Sequence, residues 1–499
     1  MLLFPPFAVT AIYRKIEVAS MKDVIVIGAG ILGVTAARML AKYELDVLVL
    51  EKGSDIGEGA SKANSGVLAA GYHARGGSLK GISGACGNRM YRQIAEELSL
   101  DVQYTGSIHC AYHEEGIQEL RKKMKRGEQN GVQGLRMISG DEARAMQPGL
   151  SEKVIGALYA PSTGIIDIYQ LLVRSAQLAV MNGIQFMFDT EVTNIIYENE
   201  VYTLHTEKGM FQARCLINAA GENAAWMESF VCPQDLVIKP RRGQFLVFDQ
   251  EEGEKLKYVL YQQQESDEKG CLLAPSVHGN IIAGPTSENV DSYKRVETTA
   301  WGIEHITKIA KKILPDIDMS KVIASFAGIR ANITNVEKEE KDFVIRISKP
   351  HMVSALGIKN PGITAAPYLM QYALELLQKE GLVLKEKPDY HAKLPDYRKF
   401  MKRSCEEQRE LLKEDPAYGN IICRCELVTE GDILAVLREP LPPKNMDGLK
   451  KRLRVGMGRC QGGFCTPRVI SLLSKEWGVE PEKIVKYAKG SSLVKGYLK

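Results

Sequence analysis

Residues 21–53 read MKDVIVIGAGILGVTAARMLAKYELDVLVLEKG. The apolar run 24–27 is typical of a buried parallel strand, because both faces of such a strand are covered. It leads into Gly28, Gly30 and Gly33, whose spacing is G-x-G-x-x-G. The first glycine permits a tight turn, the second lets a pyrophosphate approach the backbone, and the third lets helix and strand pack closely. The stretch therefore predicts a Rossmann-like α/β domain that binds a dinucleotide at the start of its first helix.

The residues after this stretch indicate which dinucleotide is bound. Glu51 ends the second predicted strand, 23 residues after Gly28, where a carboxylate can bind a ribose 2′-hydroxyl. The following segment, GEGASKANSGVLAAGYHARGGSLK (57–80), is a long loop rich in Gly, Ala and Ser. A compact NAD domain does not need such a loop, whereas small residues let the backbone run close beside a flavin ring. The loop favours FAD.

The size and charge of the chain limit its functional class. With 499 residues it is long enough for two or three domains. A net charge of +4 gives no indication of a nucleic-acid partner. Residues 381–499 hold 24 Lys and Arg against 16 Asp and Glu, a net +8, which leaves −4 for residues 1–380. This basic region is either a solvated surface or a docking face for an acidic electron-transfer protein.

The ends and the cysteine content bear on localisation. No run of 18 apolar residues occurs, so we expect no direct membrane insertion. Residues 1–20 lack the order of a secretory signal and are predicted to be an N-terminal extension. Ten cysteines without such a signal indicate a reducing compartment. We expect a cytoplasmic protein, with any membrane link made through a partner.

Four of the cysteines form a pattern near the carboxyl end. Cys423 and Cys425 are spaced C-x-C, Cys460 and Cys465 are spaced C-x4-C, and 34 residues separate the pairs. Four thiolates from two loops suit a tetrahedral sulfur site, either iron–sulfur or zinc. Structural zinc usually takes C-x2-4-C pairs, so the tighter C-x-C counts against it.

The surroundings of the second cysteine pair fit the iron–sulfur alternative. The stretch GMGRCQGG (456–463) has four glycines, which leave backbone N–H groups free to approach sulfur. Thr466 and Pro467 are predicted as the N-cap and the first residue of a following helix.

Further motifs give the chain a family resemblance. They are PSTGIIDIYQL (161–171), CLINAAGENAAW (215–226), PRRGQF (240–245), HGNIIAGPT (278–286), FAGIRA (326–331) and LGIKNPGITAA (356–366). Together with the loop 57–80 they resemble the D-amino-acid-oxidase-type FAD-dependent oxidoreductases over residues 21–380, above all the FAD-dependent glycerol-3-phosphate dehydrogenases and the L-2-hydroxyglutarate dehydrogenases. The cysteine block resembles the bacterioferritin-associated-ferredoxin-like domain, which holds one [2Fe–2S] cluster. This combination is similar to the large subunit of anaerobic glycerol-3-phosphate dehydrogenase.

The resemblance implies three structural units. A Rossmann-like FAD-binding domain is expected to interleave with an antiparallel-sheet substrate domain, followed by a small helical [2Fe–2S] domain. The predicted ranges are 21–90, 150–225 and 325–380 for the FAD-binding domain, 91–149 and 226–324 for the substrate domain, 381–415 for a linker, and 416–499 for the BFD-like domain.

The resemblance also implies which residues hold the cofactors. Cys423, Cys425, Cys460 and Cys465 are expected to bind the cluster. The residues expected to contact FAD are Gly28, Gly30, Gly33, Glu51, Lys52, Ser61, Asn64, Ser65, Gly66, Val192, Ala220, Gly221, Gly328, Gly357, Gly362, Ile363 and Thr364.

Four side chains are candidates for the chemistry. Arg330 resembles the family arginine that holds a substrate phosphate or carboxylate, and Arg242 is a second anion-binding candidate. His278 is nominated as general base, and Lys359 as a positive charge at the flavin N1/C2 edge. Surface ion pairs, a packed histidine and a solvated turn lysine are the alternatives.

One position departs from the family pattern. The family usually carries a histidine beside the flavin after N-S-G, where this chain has Ala69. His73 follows four residues later and is expected to point elsewhere.

These features predict an FAD-dependent dehydrogenase for a small anionic alcohol. The expected reaction is oxidation of sn-glycerol 3-phosphate to dihydroxyacetone phosphate, with electrons passed through the cluster to a protein acceptor or companion subunit. The alternatives are an L-2-hydroxy-acid dehydrogenase, an amine or imino-acid dehydrogenase, and a non-enzymatic iron–sulfur protein that regulates or handles iron.

Overall fold

A computed structural model describes residues 21–233, 235–263, 271–334, 342–396 and 398–496. The predicted N-terminal extension, residues 1–20, lies outside the described residues. Among those described, no helix combines the length and hydropathy that crossing a membrane requires.

The chain forms 22 strands in its described part. They are β1 (Lys22–Ile27), β2 (Val47–Leu50), β3 (Val67–Leu68), β4 (Val102–Gln103), β5 (Ser107–Ala111), β6 (Arg136–Ser139), β7 (Gly156–Ala160), β8 (Gly164–Ile166), β9 (Gln185–Met187), β10 (Val192–Glu198), β11 (Val201–Thr206), β12 (Gly209–Asn218), β13 (Val237–Phe248), β14 (Val259–Gln262), β15 (Leu272–Pro275), β16 (Ile281–Gly284), β17 (Glu288–Asn289), β18 (Val322–Thr334), β19 (Val344–Lys349), β20 (Met352–Leu356), β21 (Ile421–Cys423) and β22 (Val428–Thr429).

The described residues also form 13 α-helices. They are α1 (Ile31–Leu40), α2 (Leu79–Leu98), α3 (Glu114–Gln129), α4 (Gly140–Met146), α5 (Ile168–Met181), α6 (Ala224–Ser229), α7 (Gln250–Gly253), α8 (Ala300–Ile313), α9 (Gly362–Lys379), α10 (Cys405–Glu414), α11 (Glu430–Leu437), α12 (Met446–Leu453) and α13 (Thr466–Trp477).

The first sheet is the predicted Rossmann-like one. Its parallel strands run in the order β20, β12, β1, β2, β9, and β10, β11 and β19 extend it by antiparallel pairing. The strands β1 and β2 are almost wholly buried, because α1, α5 and α9 pack their apolar sides against the sheet. The carboxyl ends of β1, β2 and β12 meet at one edge, where ligands bind in open parallel sheets.

The second sheet has nine strands and is mostly antiparallel. Its order is β17, β13, β16, β15, β14, β5, β7, β6, and β18 pairs with β13 along almost its whole length. Side chains alternate between the two faces of a strand, so neighbouring residues contact different parts of the protein. Leu273 packs with α8 in the second hydrophobic core, whereas Leu272 lines a cavity between the two sheets.

Strand pairing departs from the predicted domain ranges at two places. The strand β7 pairs with β5 and β6, and β18 pairs with β13, so both belong to the second sheet. They lie in residues 150–225 and 325–380, which were predicted for the FAD-binding domain. The other boundaries stay predictions.

The carboxy-terminal unit has its own core and rests on the other two. Helices α11, α12 and α13 enclose a small hydrophobic cluster together with the hairpin β21–β22. The helix α12 docks on the loop after β2, where Arg452 pairs with Asp55 at 2.8 Å and Lys451 with Glu58 at 2.6 Å. The predicted linker, residues 381–415, contains α10 as its helical part.

Candidate functional site

The turn between β1 and α1 is shaped by two glycines. Gly28 has a φ of +98°, and a Cβ atom there would lie 2.8 Å from the carbonyl oxygen of Ala219. At Gly33 a Cβ atom would lie 1.8 Å from the carbonyl oxygen of Gly28. Because neither position accepts a side chain, the turn stays tight and the start of α1 stays open to a phosphate group.

Glu51 is fixed at the end of β2. It is buried, and its carboxylate accepts hydrogen bonds from the backbone N–H groups of Ala29 and Gly53, both at 2.7 Å. Burial raises the pKa of Glu51, while these two N–H groups oppose the shift. The carboxylate is thus held beside the turn of β1 and α1, where the sequence predicts a ribose contact.

The loop after Glu51 folds back onto the same turn. The hydroxyl of Ser61 accepts a hydrogen bond from the N–H of Ile31 at 2.9 Å, which caps the first turn of α1. Asn64 donates to the carbonyl of Ser61 at 2.7 Å and accepts from the N–H of Gly66 at 2.8 Å. These contacts hold the small-residue loop along the space between the two sheets.

That space is a cavity of about 260 Å³. It runs from the turn of β1 and α1 to the segment between β20 and α9, and the second sheet forms its opposite wall. Fourteen of the seventeen residues expected to contact FAD line it: Gly28, Gly30, Glu51, Lys52, Ser61, Asn64, Ser65, Val192, Ala220, Gly221, Gly328, Gly362, Ile363 and Thr364.

Three expected FAD residues lie behind the cavity wall. Gly33 packs on Gly28, Gly66 approaches the carbonyl of Ile166, and Gly357 packs against Ile333. The structure gives them a steric role, since a Cβ atom at each would come within 2.7 Å of these neighbours.

The far end of the cavity is formed by α9 and the turn before it. The helix begins at Gly362, so the positive end of its dipole faces the cavity. The hydroxyl of Thr364 accepts a hydrogen bond from the N–H of Ala69 at 3.0 Å, which ties the loop 57–80 to this helix. Lys359 also lines the cavity.

Arg330 lines the cavity from the second sheet. It donates to the main-chain carbonyls of Thr286 at 2.9 Å and Arg242 at 3.3 Å, and no carboxylate pairs with it in the described part of the chain. Burial, with repulsion from Arg241, lowers its pKa to about 10, so it remains charged at neutral pH. A positive charge without an acidic partner is suited to an anionic ligand.

Arg242, the second predicted anion-binding residue, does not line the cavity. Arg242 is buried and points away from the cavity, where it pairs with Glu288 at 3.0 Å and Glu297 at 2.6 Å. Arg241 lies directly opposite Arg330 in the register of β13 and β18. Its Nε is buried without a hydrogen-bond partner, and the described residues give it no carboxylate. The alternation of side chains along the predicted strand PRRGQF could have indicated that Arg241 and Arg242 face opposite sides of the sheet.

His278 does not reach the cavity. Its Nε2 lies 2.7 Å from Oδ2 of Asp167, at a junction that also includes Arg454 of the carboxy-terminal unit. Burial lowers the pKa of His278, and the Asp167 carboxylate opposes that shift. Asp167 in turn caps the amino end of α5, so the pair is held in place structurally.

His73 also lies away from the cavity. Its ring stacks on Tyr72 with 4.1 Å between centroids, next to His109 and Tyr261. No histidine lines the cavity within the ranges that the structure describes.

The four cysteines come together in two pairs. Cys423 lies beside Cys465, and Cys425 beside Cys460, close enough for the thiols of each pair to shift each other's pKa. In the described ranges no three His, Cys, Asp or Glu side chains have the geometry of a bound metal ion. The chemistry of the set still suits an iron–sulfur cluster, because it offers four sulfur ligands from two touching loops.

The backbone around the cysteines is arranged as the glycine pattern predicts. The N–H of Gly456 approaches the sulfur of Cys423, and those of Gly462 and Phe464 approach the sulfur of Cys460. The hydrogen bond from Cys465 lowers the pKa of Cys423 to about 6. Hydrogen bonds of this kind stabilise the thiolates that hold a cluster.

The helix after the cysteines begins one residue earlier than predicted. Cys465 is the N-cap of α13, and Thr466 is its first residue. The last ligand therefore sits at the positive end of this helix.

Two family models match the chain. A model described as FAD dependent oxidoreductase matches residues 23–376, and one described as BFD-like [2Fe-2S] binding domain matches residues 421–475. These matches confirm the expected cofactors, FAD and a [2Fe–2S] cluster, and the expected fold class.

Individual proteins resemble it as well. The chain is 36% identical over 478 residues to a glycerol 3-phosphate dehydrogenase of Caloramator mitchellensis, covering 95% of this chain and 98% of that protein. It is 24% identical over 505 residues to an anaerobic glycerol-3-phosphate dehydrogenase subunit of Haemophilus influenzae, covering 93% of this chain and 87% of that subunit. Among solved structures, reduced L-alpha-glycerophosphate oxidase from Mycoplasma pneumoniae with FAD bound has a TM-score of 0.70 at 27% identity, covering 75% of this chain and 99% of the oxidase.

Proposed function

The chain belongs to the FAD-dependent oxidoreductase family and carries a BFD-like [2Fe-2S] domain; from this we propose that it is a dehydrogenase that oxidises sn-glycerol 3-phosphate to dihydroxyacetone phosphate. Its electrons pass through the cluster to a protein acceptor.

The observation that carries this proposal is the pair of arginines on the second sheet. Arg241 and Arg330 face each other across β13 and β18, and neither has a carboxylate partner among the described residues. Like charges opposite each other on a sheet are destabilising. A phosphate dianion bound between the two guanidinium groups removes that repulsion and accepts several charge-assisted hydrogen bonds.

The lengths of the matches support a dehydrogenase over an oxidase. The similarity to the glycerol 3-phosphate dehydrogenase of Caloramator mitchellensis takes in both the oxidoreductase part and the cysteine-bearing domain, since it covers 95% of the chain. The glycerophosphate oxidase structure covers 75%. A flavin takes two electrons at once and an iron–sulfur cluster takes one, so the added domain is suited to delivering single electrons to another protein.

The residues around the cavity orient the substrate. When bound, FAD accepts the hydride from the carbon that bears the hydroxyl group. Arg330 on the cavity wall, together with Arg241 opposite it in the sheet, holds the phosphate. Phe245 and Leu272 form an apolar wall that excludes water. The amino end of α9 and Lys359 place positive charge at the end of the cavity where negative charge develops on reduction. His278 is not proposed as the base, because it lies outside the cavity.

An L-2-hydroxy acid is the second candidate substrate. Arg330 can hold a carboxylate as well as a phosphate, because both match the guanidinium fork. Arg241 is the residue that favours the phosphate, since a dianion neutralises two adjacent charges.

The test is anaerobic reduction of the flavin in the holoenzyme. We expect sn-glycerol 3-phosphate to bleach the visible flavin absorbance, whereas glycerol does not. Arg330→Ala should raise the substrate concentration for half-maximal bleaching about 10- to 100-fold, because it removes charge-assisted hydrogen bonds. Arg241→Gln should raise it about tenfold. Arg121→Gln, on the exposed side of α3, is the matched control and should change nothing.

The other members of the substrate panel decide between the alternatives. Faster bleaching by L-2-hydroxyglutarate would favour the hydroxy-acid reaction, and bleaching by an amine or imino acid would favour the third class. If none of these compounds reduces the flavin, the enzymatic proposal is wrong and a role in iron handling gains.

A further inference from the structure

Phe464 is a large apolar side chain that lies almost entirely in solvent. Its side chain is 83% exposed, the highest value among the large hydrophobic side chains of the described residues. It precedes the predicted ligand Cys465, and its own backbone N–H approaches the sulfur of Cys460. The ring therefore projects into solvent directly from the loop that surrounds the cluster ligands.

Three more exposed side chains border the same sulfurs. Arg424 stands between Cys423 and Cys425, and Leu427 follows them with 45% of its side chain exposed. Arg468, on the first turn of α13, donates to the carbonyl of Ile421 and so bridges the two cysteine loops. We call Arg424, Leu427, Phe464 and Arg468 the cysteine-loop surface.

The charges of this surface are uncompensated. In the described part of the chain neither Arg424 nor Arg468 has an acidic side-chain partner. Residues 381–499 carry a net charge of +8. An apolar centre with arginines around it has the composition of a protein-binding site, where aromatic and arginine residues contribute most of the affinity.

We propose that the cysteine-loop surface docks an acidic one-electron carrier protein, which takes electrons directly from the cluster. This rests on the proposed function, because it assigns the exit of the electrons that substrate oxidation supplies. Oxidation of one CH–OH group to C=O releases two electrons and two protons. Two successive one-electron transfers at this surface therefore reduce two carrier molecules, and the protons pass to water.

Two features favour a carrier over other occupants of this surface. The carrier must approach the sulfurs closely, and the exposed residues Phe464 and Arg424 directly adjoin the predicted ligands in the sequence. Positive charge at the exit steers an acidic partner and raises its association rate, an effect that salt suppresses. A second copy of this chain would bring positive charge against positive charge.

The experiment uses the holoenzyme reduced with dithionite and freed of excess reductant, so it does not depend on the substrate. The reduced protein is mixed rapidly with an acidic blue-copper protein, and loss of the copper colour is followed at low and high salt. Arg424→Glu combined with Arg468→Glu should slow the transfer at least tenfold at low salt, and this difference should vanish at high salt. Phe464→Ala should slow it about tenfold at both salt concentrations.

The same variants are tested with two other acceptors and in a binding assay. A basic c-type cytochrome should be reduced faster by the arginine variant, and a small dye should be reduced equally by every variant. Retention of the oxidised enzyme on immobilised blue-copper protein should fall for both variants. Arg121→Glu and Trp301→Ala, an exposed arginine and an exposed aromatic far from the cysteines, are matched controls and should behave as the unmodified chain.

Several results would overturn the proposal. Unchanged rates in both variants would place the exit elsewhere, and equal slowing with the dye would show a damaged cluster rather than a lost docking site. Sedimentation that detects a dimer dissociated by Phe464→Ala would assign the surface to self-association. Failure of the flavin to bleach with glycerol 3-phosphate, with these transfer results intact, would contradict the proposed substrate alone.

Discussion

His109 is a buried titratable side chain outside the cavity. It is 2% exposed on β5, and its Nε2 lies 3.2 Å from Nζ of Lys123. Burial, and then the charge of Lys123, holds its pKa well below the usual 6.5. The folded chain therefore keeps this imidazole neutral under conditions where the unfolded chain binds a proton.

The consequence is a loss of stability in acid. Because the folded-state pKa is lower than the unfolded one, the contribution of His109 is complete above pH 6.5 and declines as the pH falls below it. Between pH 7.5 and 5.5 the free energy of unfolding should fall because of this residue, by at most about 1.4 kcal/mol. Urea denaturation of the unmodified chain and of His109→Gln at the two pH values measures this.

Two variants, His109→Gln and Lys123→Met, test whether His109 causes this loss of stability. His109→Gln should show a smaller loss between pH 7.5 and 5.5, because the group that titrates is gone. Lys123→Met should also reduce the loss, since removing the ammonium charge raises the pKa of His109. An identical pH dependence in all three proteins contradicts this account.

At single positions the sequence predicted chemistry better than orientation. Arg330 and most of the expected FAD residues lie around the cavity, because their motifs fix both the residue and its local turn. Arg242 and His278 were not brought there, since their direction depends on strand register and on contacts with Glu288 and Asp167. Arg241 was not singled out, because its position opposite Arg330 depends on the pairing of two strands distant in the sequence.

Among the elements, α11 has an unusually well-enclosed amino terminus. Thr429 and Asp432 form a capping box, and both are buried. Asp432 also accepts a hydrogen bond from the N–H of Phe400 at 2.8 Å, which ties the linker to this helix. The cap lies six residues after the first cysteine of the cluster set, so it supports the loop that carries two ligands.

Thr429→Ala should therefore weaken the carboxy-terminal unit. Loss of the cap should cost about 1–2 kcal/mol of its stability, because an N–H at the helix start is left buried without a partner. Release of iron during urea denaturation should occur at a lower urea concentration than in the unmodified chain. Ser404→Ala removes the exposed capping box of α10 and is the matched control, for which we expect little change in iron release.

Elements with local signals were predictable and the second sheet was not. The units β1–α1–β2 and β20–α9 follow from apolar runs joined by glycine turns, and the structure has both. The second sheet joins strands from residue 107 to residue 334, and its order is set by pairing between distant segments. No periodicity in the sequence encodes that order, which is why the predicted ranges separated β7 and β18 from it.

For the molecule as a whole, the contact between the carboxy-terminal unit and the loop after β2 depends on buried charges. Arg452 binds both oxygens of Asp55, at 2.8 and 3.1 Å, and both side chains are almost fully buried. Burial alone would raise the pKa of Asp55, but Arg452 holds it below its usual value. Each charge therefore needs the other.

Arg452→Met should release the carboxy-terminal unit from its seat. Asp55 would keep only Lys451, at 3.3 Å, as a partner for its buried charge. Loss of one partner of a buried pair costs up to about 3–5 kcal/mol. We expect faster proteolysis within residues 381–415 and slower reduction of the cluster by substrate, while reduction of the flavin is unchanged. The double variant Asp55→Asn with Arg452→Met should recover much of the lost stability, and equal damage in the single and double variants would refute the role of the pair.

The segment 53–58 takes part in both the predicted nucleotide site and the contact with the carboxy-terminal unit. At one end Gly53 fixes Glu51 beside the nucleotide turn, and further on Asp55, Ile56 and Glu58 receive the side chains of α12. We expect the order that one contact imposes on this segment to favour the other contact. Linkage then requires dinucleotide binding and docking of the carboxy-terminal unit to strengthen each other by the same factor. Stripping the dinucleotide from this chain should thus loosen the ferredoxin-like module, and detaching that module should make the dinucleotide easier to wash out.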